Sequence, residues 1–212
     1  MRANQRLVAQ DGYEVLLFPL EYMYISQGEG GSTSHQGTYN IDFLGWGRNG
    51  RVYNCPYYAP CKCKLVYKNT TSAYNIWDSV DMVHTPLGLM KVCFMVIHDD
   101  NLPYNIGDVI NQGDILGHTG SSGYAYGDHL HLNVASGNYE GQEQVPPDNQ
   151  WQLKNSEHIY SMMYVNDTNI VDGDNYPWTV YNGGVTPISN NFKKFPWVIY
   201  SRKLRKLRSK RM

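Results

Sequence analysis

The sequence predicts a mainly β protein in which short antiparallel strands are joined by turns and polar loops. Tyrosine is frequent, with 18 of the 212 residues, and the chain contains 20 glycines. This balance favours strands and turns over helices. Polar and apolar residues alternate between Tyr39 and Leu44, as in a half-buried strand. Turn signals separate further apolar runs at hairpin-like spacing, which indicates antiparallel pairing.

The predicted strands follow one another through the first 140 residues. They cover residues 39–44, 52–58, 63–67, 75–83, 90–97 and 130–134. Residues 13–20 are typical of an extended lead-in closed by Pro19. The glycine-rich stretch 107–123 indicates tight turns. Helix-like periodicity is weak and is confined to residues 156–164.

Composition divides the chain into three parts. Residues 1–140 form the predicted domain with its N-terminal lead-in, residues 141–192 predict an accessory loop and β extension, and residues 193–212 form a basic C-terminal tail. The tail carries nine Lys and Arg residues and no acid, whereas residues 1–192 carry nine basic against 19 acidic residues. We expect the tail either to bind an anionic partner or to be solvated and dock on the acidic body.

The sequence argues against a membrane span and against a disulfide framework. No apolar run approaches the roughly 20 residues that cross a bilayer. The N-terminus, interrupted by Asp11 and Glu14, does not predict a signal peptide. Three of the four cysteines are crowded between Cys55 and Cys63, and none forms a Cys-x-x-Cys pair. Reduced thiols on strands are therefore expected, with a Cys55–Cys61 disulfide as the alternative.

The chemically informative residues are centred on two histidines near residue 130. His129 and His131 flank Leu130 in a short apolar run, so both imidazoles are expected on one face of a strand, roughly 6.5–7 Å apart. One of them could bind a metal while the other reaches the metal's open position. A catalytic zinc site usually has three protein ligands, and histidine nitrogen and carboxylate oxygen suit this metal. The upstream candidates are His35, Asp42 and His98.

Five motifs occur in a fixed order along the chain. They are Ser34-His35-Gln36-Gly37 with Asp42-Phe43, Val96-Ile97-His98, Gly107-Asp108-Val109 with Gly113, Gly117 with Gly120-Ser121-Ser122-Gly123, and Gly127-Asp128-His129-Leu130-His131. In this order they resemble the lysostaphin-type zinc endopeptidases, the LytM domains, which hydrolyse peptide cross-links of bacterial peptidoglycan. The resemblance spans about residues 20–140. It implies an antiparallel sheet domain of the LytM type, the duplicated hybrid motif, with loop-rich insertions.

The resemblance also implies a role for each histidine of the motifs. His35, Asp42 and His131 would bind Zn²⁺, and His98 and His129 would be catalytic histidines that do not bind the metal. The remaining histidines are expected on the surface or in hydrogen bonds, without chemistry. They are His84, His118 and His158.

The spacing between the first two metal ligands departs from the family pattern. Members usually place the aspartate four residues after the first histidine, whereas Asp42 follows His35 by seven. Seven residues have the wrong parity for two side chains on one face of a regular strand. A bulge or a small turn through residues 37–40 must therefore restore convergence, and Gly37 allows one. If no such distortion exists, Glu29 replaces Asp42 as the ligand candidate.

Tyrosines near the motifs are candidates for substrate contact. Tyr124 and Tyr126 come just before the His129–His131 strand, and tyrosine offers a flat apolar ring with a polar tip. Tyr124 and Tyr126 are therefore predicted to bind substrate, whereas most other tyrosines are expected to pack on sheet faces.

The resemblance implies a zinc-dependent endopeptidase of peptidoglycan. A phage lysis enzyme or a tail-associated hydrolase of the virion, released to the bacterial wall, agrees with the expected lack of a signal peptide. Virion tail proteins would then be further partners, and wall teichoic acid, lipid headgroups, nucleic acid or an acidic protein would be targets of the basic tail. The alternatives are a non-catalytic tail module that retains the fold, and an unrelated metal-binding β-barrel enzyme, which would need a different His and Asp order.

Overall fold

A sheet of nine strands forms the framework of the protein in its computed structural model, which describes residues 1–101, 103–147 and 149–183. The strands of the first half are β1 (Glu14–Val15), β2 (Tyr22–Gln27), β3 (Ile41–Phe43), β4 (Trp46–Gly47), β5 (Gly50–Arg51), β6 (Pro56–Tyr58), β7 (Cys63–Asn69), β8 (Tyr74–Ser79), β9 (Val83–Thr85), β10 (Gly88–Met90) and β11 (Val92–Ile97). The elements of the second half are β12 (Val109–Ile110), β13 (Ile115–His118), β14 (Leu130–Ser136), β15 (Gln142–Val145), β16 (Gln150–Leu153), β17 (Ser156–Glu157), α1 (Ile159–Met162), β18 (Tyr164–Val165), β19 (Asn169–Asp172) and β20 (Thr179–Val180). The predicted mainly β, antiparallel fold is confirmed.

The main sheet is antiparallel except at one edge. Its order is β12-β7-β8-β11-β14-β3-β2-β19, and the pairing of β19 with β2 is parallel. One edge of strand β14 pairs with two different strands. Its first residues, 130–132, pair with β3, while residues 134–135 pair with β17. The strand is thus held on both sides along its length and is buried from residue 130 to residue 135.

Strand pairing brings two of the predicted metal ligands together. His131 of β14 lies directly opposite Asp42 of β3, and Ile97 at the end of β11 lies opposite His131 on the other side. Residues opposite each other in an antiparallel pair have Cβ atoms about 4.5–5.5 Å apart and point to the same face. The register alone therefore places the Asp42 and His131 side chains side by side.

The two faces of β14 carry different residues. Leu130, Leu132 and Val134 point into the larger apolar core, which includes Trp77 and Phe94. The alternate residues His131, Asn133 and Ala135 point to the opposite face. A smaller cluster forms there around Ile76 and Met95. Because strand side chains alternate between faces, the apolar residues of the His129–His131 motif fix which face holds the imidazoles.

The residues after 140 add strands to the main sheet. β17 pairs with β14 and β19 pairs with β2, while β15 and β16 form a separate hairpin. Ile159, Met162 and Trp178 lie in the larger core. The division at residue 140 stays a prediction, and these contacts show that the two parts share one sheet and one core. The predicted basic tail, 193–212, lies outside the described residues.

The four cysteines are free, as expected for reduced thiols. Within the described residues, no helix has the length and apolar composition needed to cross a membrane.

Candidate metal centre

Three side chains that the sequence singled out converge on one point. The Oδ1 atom of Asp42 lies 2.9 Å from Nδ1 of His131 and 3.3 Å from Nε2 of His35, and the two imidazole nitrogens are 3.3 Å apart. In a tetrahedral zinc site with bonds of about 2.0–2.1 Å, neighbouring ligand atoms are about 3.3 Å apart. The three atoms therefore form a triangle that matches one face of such a coordination sphere.

The three candidate ligands are withdrawn from solvent. His35 is fully buried, and Asp42 and His131 are each 9% exposed. Three imidazole nitrogens lie within 3.5 Å of Asp42 Oδ1, yet this buried atom accepts no well-aligned hydrogen bond within the described chain. A buried carboxylate oxygen without such a bond is costly. A cation at the centre of the triangle would satisfy it, so the residues present fit a zinc ion.

A turn, not a strand, delivers His35 to the site. Residues 32–37 are in turns, and the N–H of Thr38 donates to the carbonyl of His35 at 3.0 Å. Gly37 has a φ of 75°, a left-handed conformation that favours glycine. Because His35 precedes β3 and is not part of it, strand parity does not restrict the direction of its ring. The turn therefore reconciles the seven-residue spacing with convergence on Asp42.

His98 lies where β11 ends and the chain changes direction. Its φ is 80°, in the left-handed region that residues with a Cβ rarely adopt. Its backbone N–H donates to the carbonyl of Ala73, and its Nδ1–H donates to the carbonyl of Ser122, both at 2.8 Å. These contacts hold the His98 ring with its centroid 4.5 Å from that of His129 and 6.0 Å from that of His131.

His129 is held next to the same triangle. Its backbone N–H and carbonyl both pair with Gly120, and its Nδ1–H donates to the carbonyl of Gly127 at 2.7 Å. The other ring nitrogen, Nε2, lies 3.5 Å from Asp42 Oδ1. His98 and His129 thus both use Nδ1 as a donor, so in the neutral form each presents Nε2 as an acceptor.

The Asp128 side chain fixes the loop that carries His129. One carboxylate oxygen accepts from the hydroxyl of Thr119 at 2.7 Å, and the other accepts from the backbone N–H of Asn54 at 2.8 Å. The guanidinium of Arg51 lies 3.5 Å from the carboxylate and also donates to the carbonyl of Asp128. Two separate segments, residues 51–54 and the segment of Thr119, therefore hold the residue before His129.

Burial and the Asp42 carboxylate shift the histidine pKa values in opposite directions. Burial lowers the pKa of His98 to about 4. Burial also lowers the pKa of His129, but the negative charge of the nearby Asp42 carboxylate, 3.5 Å away, outweighs this and raises the pKa above the ordinary value. For His131 burial dominates, and its pKa is lowered. Pairs of groups whose pKa values are moved apart are typical of acid–base sites.

Asp42 keeps its negative charge in this environment. Burial raises the pKa of its carboxyl group, but contacts with the imidazoles of His129, His131 and His35 outweigh burial and hold the pKa well below its usual range. A carboxylate that stays ionised is the form that binds a metal cation.

The other residues considered from sequence lie outside the triangle. Glu29, the substitute ligand candidate, has its Oε2 atom 2.6 Å from Nδ1 of His158 and does not belong to the cluster of candidate ligands. His84 lies 2.8 Å from Asp11. Tyr124 and Tyr126 are 92% and 89% exposed, and their role in substrate binding stays a prediction.

Sequence reasoning missed the residues that hold the site together. Arg51 and Thr119 fix Asp128, while Ser122 fixes His98 through its carbonyl. These partners are separated from the residues they hold by 9 to 77 positions. In the sequence, Asp128 beside His129 indicates such a contact, because a carboxylate next to a candidate catalytic residue is expected to accept hydrogen bonds that hold it in place.

Comparison with known proteins finds a relative in a bacteriophage. The chain is 41% identical to Morphogenesis protein 1 of Bacillus phage B103 over 170 residues, which are 79% of this chain and 44% of that protein. The chain thus spans less than half the length of this relative. No family model matches the chain.

Similar solved structures include several peptidases. The catalytic domain of lysostaphin from Staphylococcus simulans is 19% identical with a TM-score of 0.41, covering 64% of this chain and 87% of that chain. The catalytic domain of a prophage-encoded M23 protein from Enterococcus faecalis is 18% identical with a TM-score of 0.41, covering 63% and 88%. A zinc-containing peptidase from Vibrio cholerae is 18% identical with a TM-score of 0.43, covering 62% and 43%. The sequence motifs resemble the same group of peptidases, and these structures cover 62–64% of this chain.

Proposed function

We propose that the protein is a zinc-dependent endopeptidase that hydrolyses peptide cross-links of bacterial peptidoglycan. The observation that carries the proposal is the triangle of His35, Asp42 and His131, whose ligand atoms have the mutual distances of a tetrahedral zinc site. Two further histidines, His98 and His129, lie beside this triangle, and each donates from Nδ1 to a backbone carbonyl. Three ligands plus flanking acid–base groups are the arrangement of a hydrolytic zinc site.

The chain's own residues would supply binding, orientation and proton transfer. A bound zinc ion would polarise the scissile carbonyl and lower the pKa of a water molecule towards 7. Nε2 of His98, which is neutral because burial lowers its pKa to about 4, is an acceptor for a proton of the attacking water. Nε2 of His129, which lies beside the triangle 3.5 Å from Asp42 Oδ1, would in its protonated form donate a hydrogen bond to the developing oxyanion and then transfer the proton to the leaving amine.

The biological setting proposed is a phage virion or a phage lysis enzyme acting on the cell wall. A morphogenesis protein of a Bacillus phage shares 41% of its residues with this chain over the matched region. The name of this relative refers to morphogenesis of a phage, which supports a component of the virion over a free lysis enzyme. Virion tail proteins are then the expected assembly partners, and the basic tail is the proposed contact with anionic wall polymers.

Digestion of purified peptidoglycan tests the activity. The protein should release new amino termini, identified by mass spectrometry, and a zinc chelator should abolish their release while added Zn²⁺ restores it. The identity of the new termini distinguishes glycine bridges from cross-links that contain D-alanine. A zinc-loaded protein that binds peptidoglycan and releases no termini would instead be the non-catalytic wall-binding module.

Two histidine variants separate metal binding from chemistry. His131→Ala should abolish zinc binding and activity together, because it removes a ligand atom of the triangle. His129→Ala should abolish activity while keeping stoichiometric zinc. Zinc content measured by atomic absorption on both variants checks the assignment, and loss of zinc from His129→Ala would contradict it.

A further inference from the structure

Three residues outside the metal triangle hold the turn that precedes His35. The hydroxyl of Tyr176 accepts a hydrogen bond from the backbone N–H of Glu29 at 2.7 Å. The Glu29 carboxylate accepts from Nδ1 of His158 at 2.6 Å. Tyr176 and His158 both come from the segment after residue 140, more than 125 positions away from Glu29. We call Glu29, His158 and Tyr176 the brace.

The brace acts on Gly28, the residue before Glu29, because the carbonyl of Gly28 orients the His35 ring. Nδ1–H of His35 donates to the carbonyl of Gly28 at 3.1 Å, which leaves Nε2 to face Asp42 and His131. Gly28 is packed tightly against the brace, since a Cβ there would lie 2.5 Å from the hydroxyl of Tyr176. A shift of Tyr176 would therefore move the carbonyl that fixes the tautomer and direction of the His35 ring.

His158 also contacts the chain on the other side of His35. Its ring packs edge-on against Tyr39, with centroids 4.5 Å apart, and stacks on Tyr160 at 4.9 Å. Tyr160 in turn stacks on Tyr176 at 5.2 Å, so the members of the brace support one another. His158 thus touches both the turn before His35 and the linker of six residues between His35 and Asp42.

The Glu29 carboxylate is largely, but not fully, withdrawn from solvent, with 11% of the side chain exposed. Burial raises its pKa, and the hydrogen bond and charge of His158 oppose that shift. A buried carboxylate is costly unless it is paired. Glu29 is paired with His158, close to the candidate ligand His35. A role in fixing the backbone at residues 28–29 accounts for this pair.

We propose that the brace is a set of positioning residues for the metal site: Glu29, His158 and Tyr176 hold the Gly28 carbonyl so that His35 presents Nε2 to the metal. The inference rests on the proposed zinc site and adds to it a role for the segment after residue 140. Hydrogen-bond partners of a metal-binding histidine fix its tautomer and orientation, and their loss typically lowers metal affinity by about 10–100-fold.

The test is the zinc affinity of the full chain, measured by competition with a chromophoric chelator on the metal-free protein. Tyr176→Phe removes one hydroxyl and keeps the stacked ring, and His158→Ala removes the donor to Glu29. Both should raise the dissociation constant for zinc by about 10-fold or more. His158→Asn should restore most of the affinity, because the side-chain amide nitrogen of asparagine occupies nearly the same place as Nδ1 of histidine.

Matched controls separate positioning from general stability. Tyr160→Phe removes a hydroxyl from the neighbouring ring of the same stack. His84→Ala breaks a similar histidine–carboxylate pair, with Asp11 at 2.8 Å, which is not part of the brace. Each control should leave the zinc dissociation constant within about 2-fold of wild type, even where the melting temperature of the metal-free protein falls.

The outcomes distinguish this inference from the function on which it rests. If Tyr176→Phe and His158→Ala bind zinc with wild-type affinity, the proposed role of the brace is wrong, while the proposed zinc site is unaffected. Equal losses of affinity in His158→Ala and His84→Ala also overturn it, because the effect would then follow stability alone. Wild-type protein that binds no zinc overturns the proposed function and the brace with it.

Discussion

Gly120 shows how a single residue without a side chain determines the position of a candidate catalytic histidine. A Cβ at this position would lie 2.1 Å from the carbonyl oxygen of His98, and 2.8 Å from the backbone nitrogen of Asp100. Both atoms belong to backbone, so neither can rotate away. We expect Gly120→Ala to displace His98 and to lower kcat by about 100-fold, since a shift of about 1 Å at a reacting group has an effect of this size.

The measurement for Gly120→Ala is the rate of peptidoglycan cleavage together with zinc content. Zinc should be retained, because His98 is not part of the triangle of ligand atoms. Gly127→Ala in the same loop is the matched control, since a Cβ at Gly127 meets no atom within 4 Å. Comparable loss of activity in the two variants would show that the loop, and not the contact with His98, limits the rate.

Asp100 gives the protein a pH-dependent element near His98. The hydroxyl of Ser122 and the N–H of Ser121 donate to its carboxylate at 2.7 and 3.0 Å, and the Ser122 hydrogen bond is the main reason that its pKa lies below the ordinary value of 3.8. A depressed pKa stabilises the folded state at pH values above 3.8, and this contribution is lost as the pH falls through the lower folded value.

Asp100→Asn should therefore lower the free energy of unfolding at neutral pH and have little effect in strong acid. Urea unfolding of both proteins from acid to neutral pH checks this, and the two curves should converge as the pH falls through the lowered pKa of Asp100. A stability difference that is constant over the whole range would show that the carboxylate charge is not the cause.

At the scale of elements, the hairpin of β4 and β5 is tied to the loop before β14. Arg51 of β5 contacts both the carboxylate and the carbonyl of Asp128, and its guanidinium lies 4.9 Å over the ring of Tyr53. The planar guanidinium can make these contacts at once, whereas the single ammonium of lysine cannot. The hairpin therefore contributes to the position of His129 although it carries no candidate ligand.

We expect Arg51→Lys to lower kcat by about 10-fold or more while zinc affinity stays at the wild-type value, because the contact positions His129 and not a metal ligand. Steady-state cleavage of a soluble cross-linked muropeptide measures this. Arg6→Lys is the control, since Arg6 makes an exposed ion pair with Asp114 at 3.9 Å, and such pairs contribute little. An effect of Arg51→Lys on KM alone would place Arg51 in substrate binding instead.

The strands of the central sheet were predictable because their signal is local. Residues 63–67 and 90–97 carry apolar runs bounded by turn signals, and they correspond to β7 (Cys63–Asn69) and to β10 and β11. β17 and β19 lie in polar, turn-rich sequence, and their pairing with β14 and β2 depends on residues far away in the chain. Tertiary contacts of this kind override local propensity, so the sequence alone could not show them.

The candidate site was predictable to the extent that motif order determines it. His35, Asp42, His98, His129 and His131 were named from sequence, and the structure brings them together. The brace was not predicted, because nothing local relates Glu29 to His158 or Tyr176. His158 was expected to be hydrogen-bonded, which agrees with its contact to Glu29. Its proposed positioning role follows only from its three-dimensional position next to the segment of Gly28.

At the scale of the whole molecule, zinc binding should be coupled to stability. A ligand present at about 100 times its dissociation constant stabilises the folded state by about 2.7 kcal/mol. For a chain of this size this corresponds to a rise in Tm of about 5–10 °C. Calorimetry with and without Zn²⁺ checks it, with His131→Ala as the variant that should show no shift. An equal shift in that variant would place the bound zinc elsewhere.

The segment after residue 140 should be indispensable for folding. Ile159, Met162, Met163, Val165 and Trp178 are at most 8% exposed in the larger core. Burial of each such side chain contributes about 1.5–3 kcal/mol, which together approaches the whole stability of a typical domain, about 5–15 kcal/mol. A chain ending at residue 140 would also leave β14 and β2 without β17 and β19.

We therefore expect this truncated chain to be unfolded or aggregated, whereas a chain ending at residue 192 should fold and bind zinc. Circular dichroism and gel filtration compare the two, and a folded, zinc-binding product from residues 1–140 would show that the predicted boundary separates independent units.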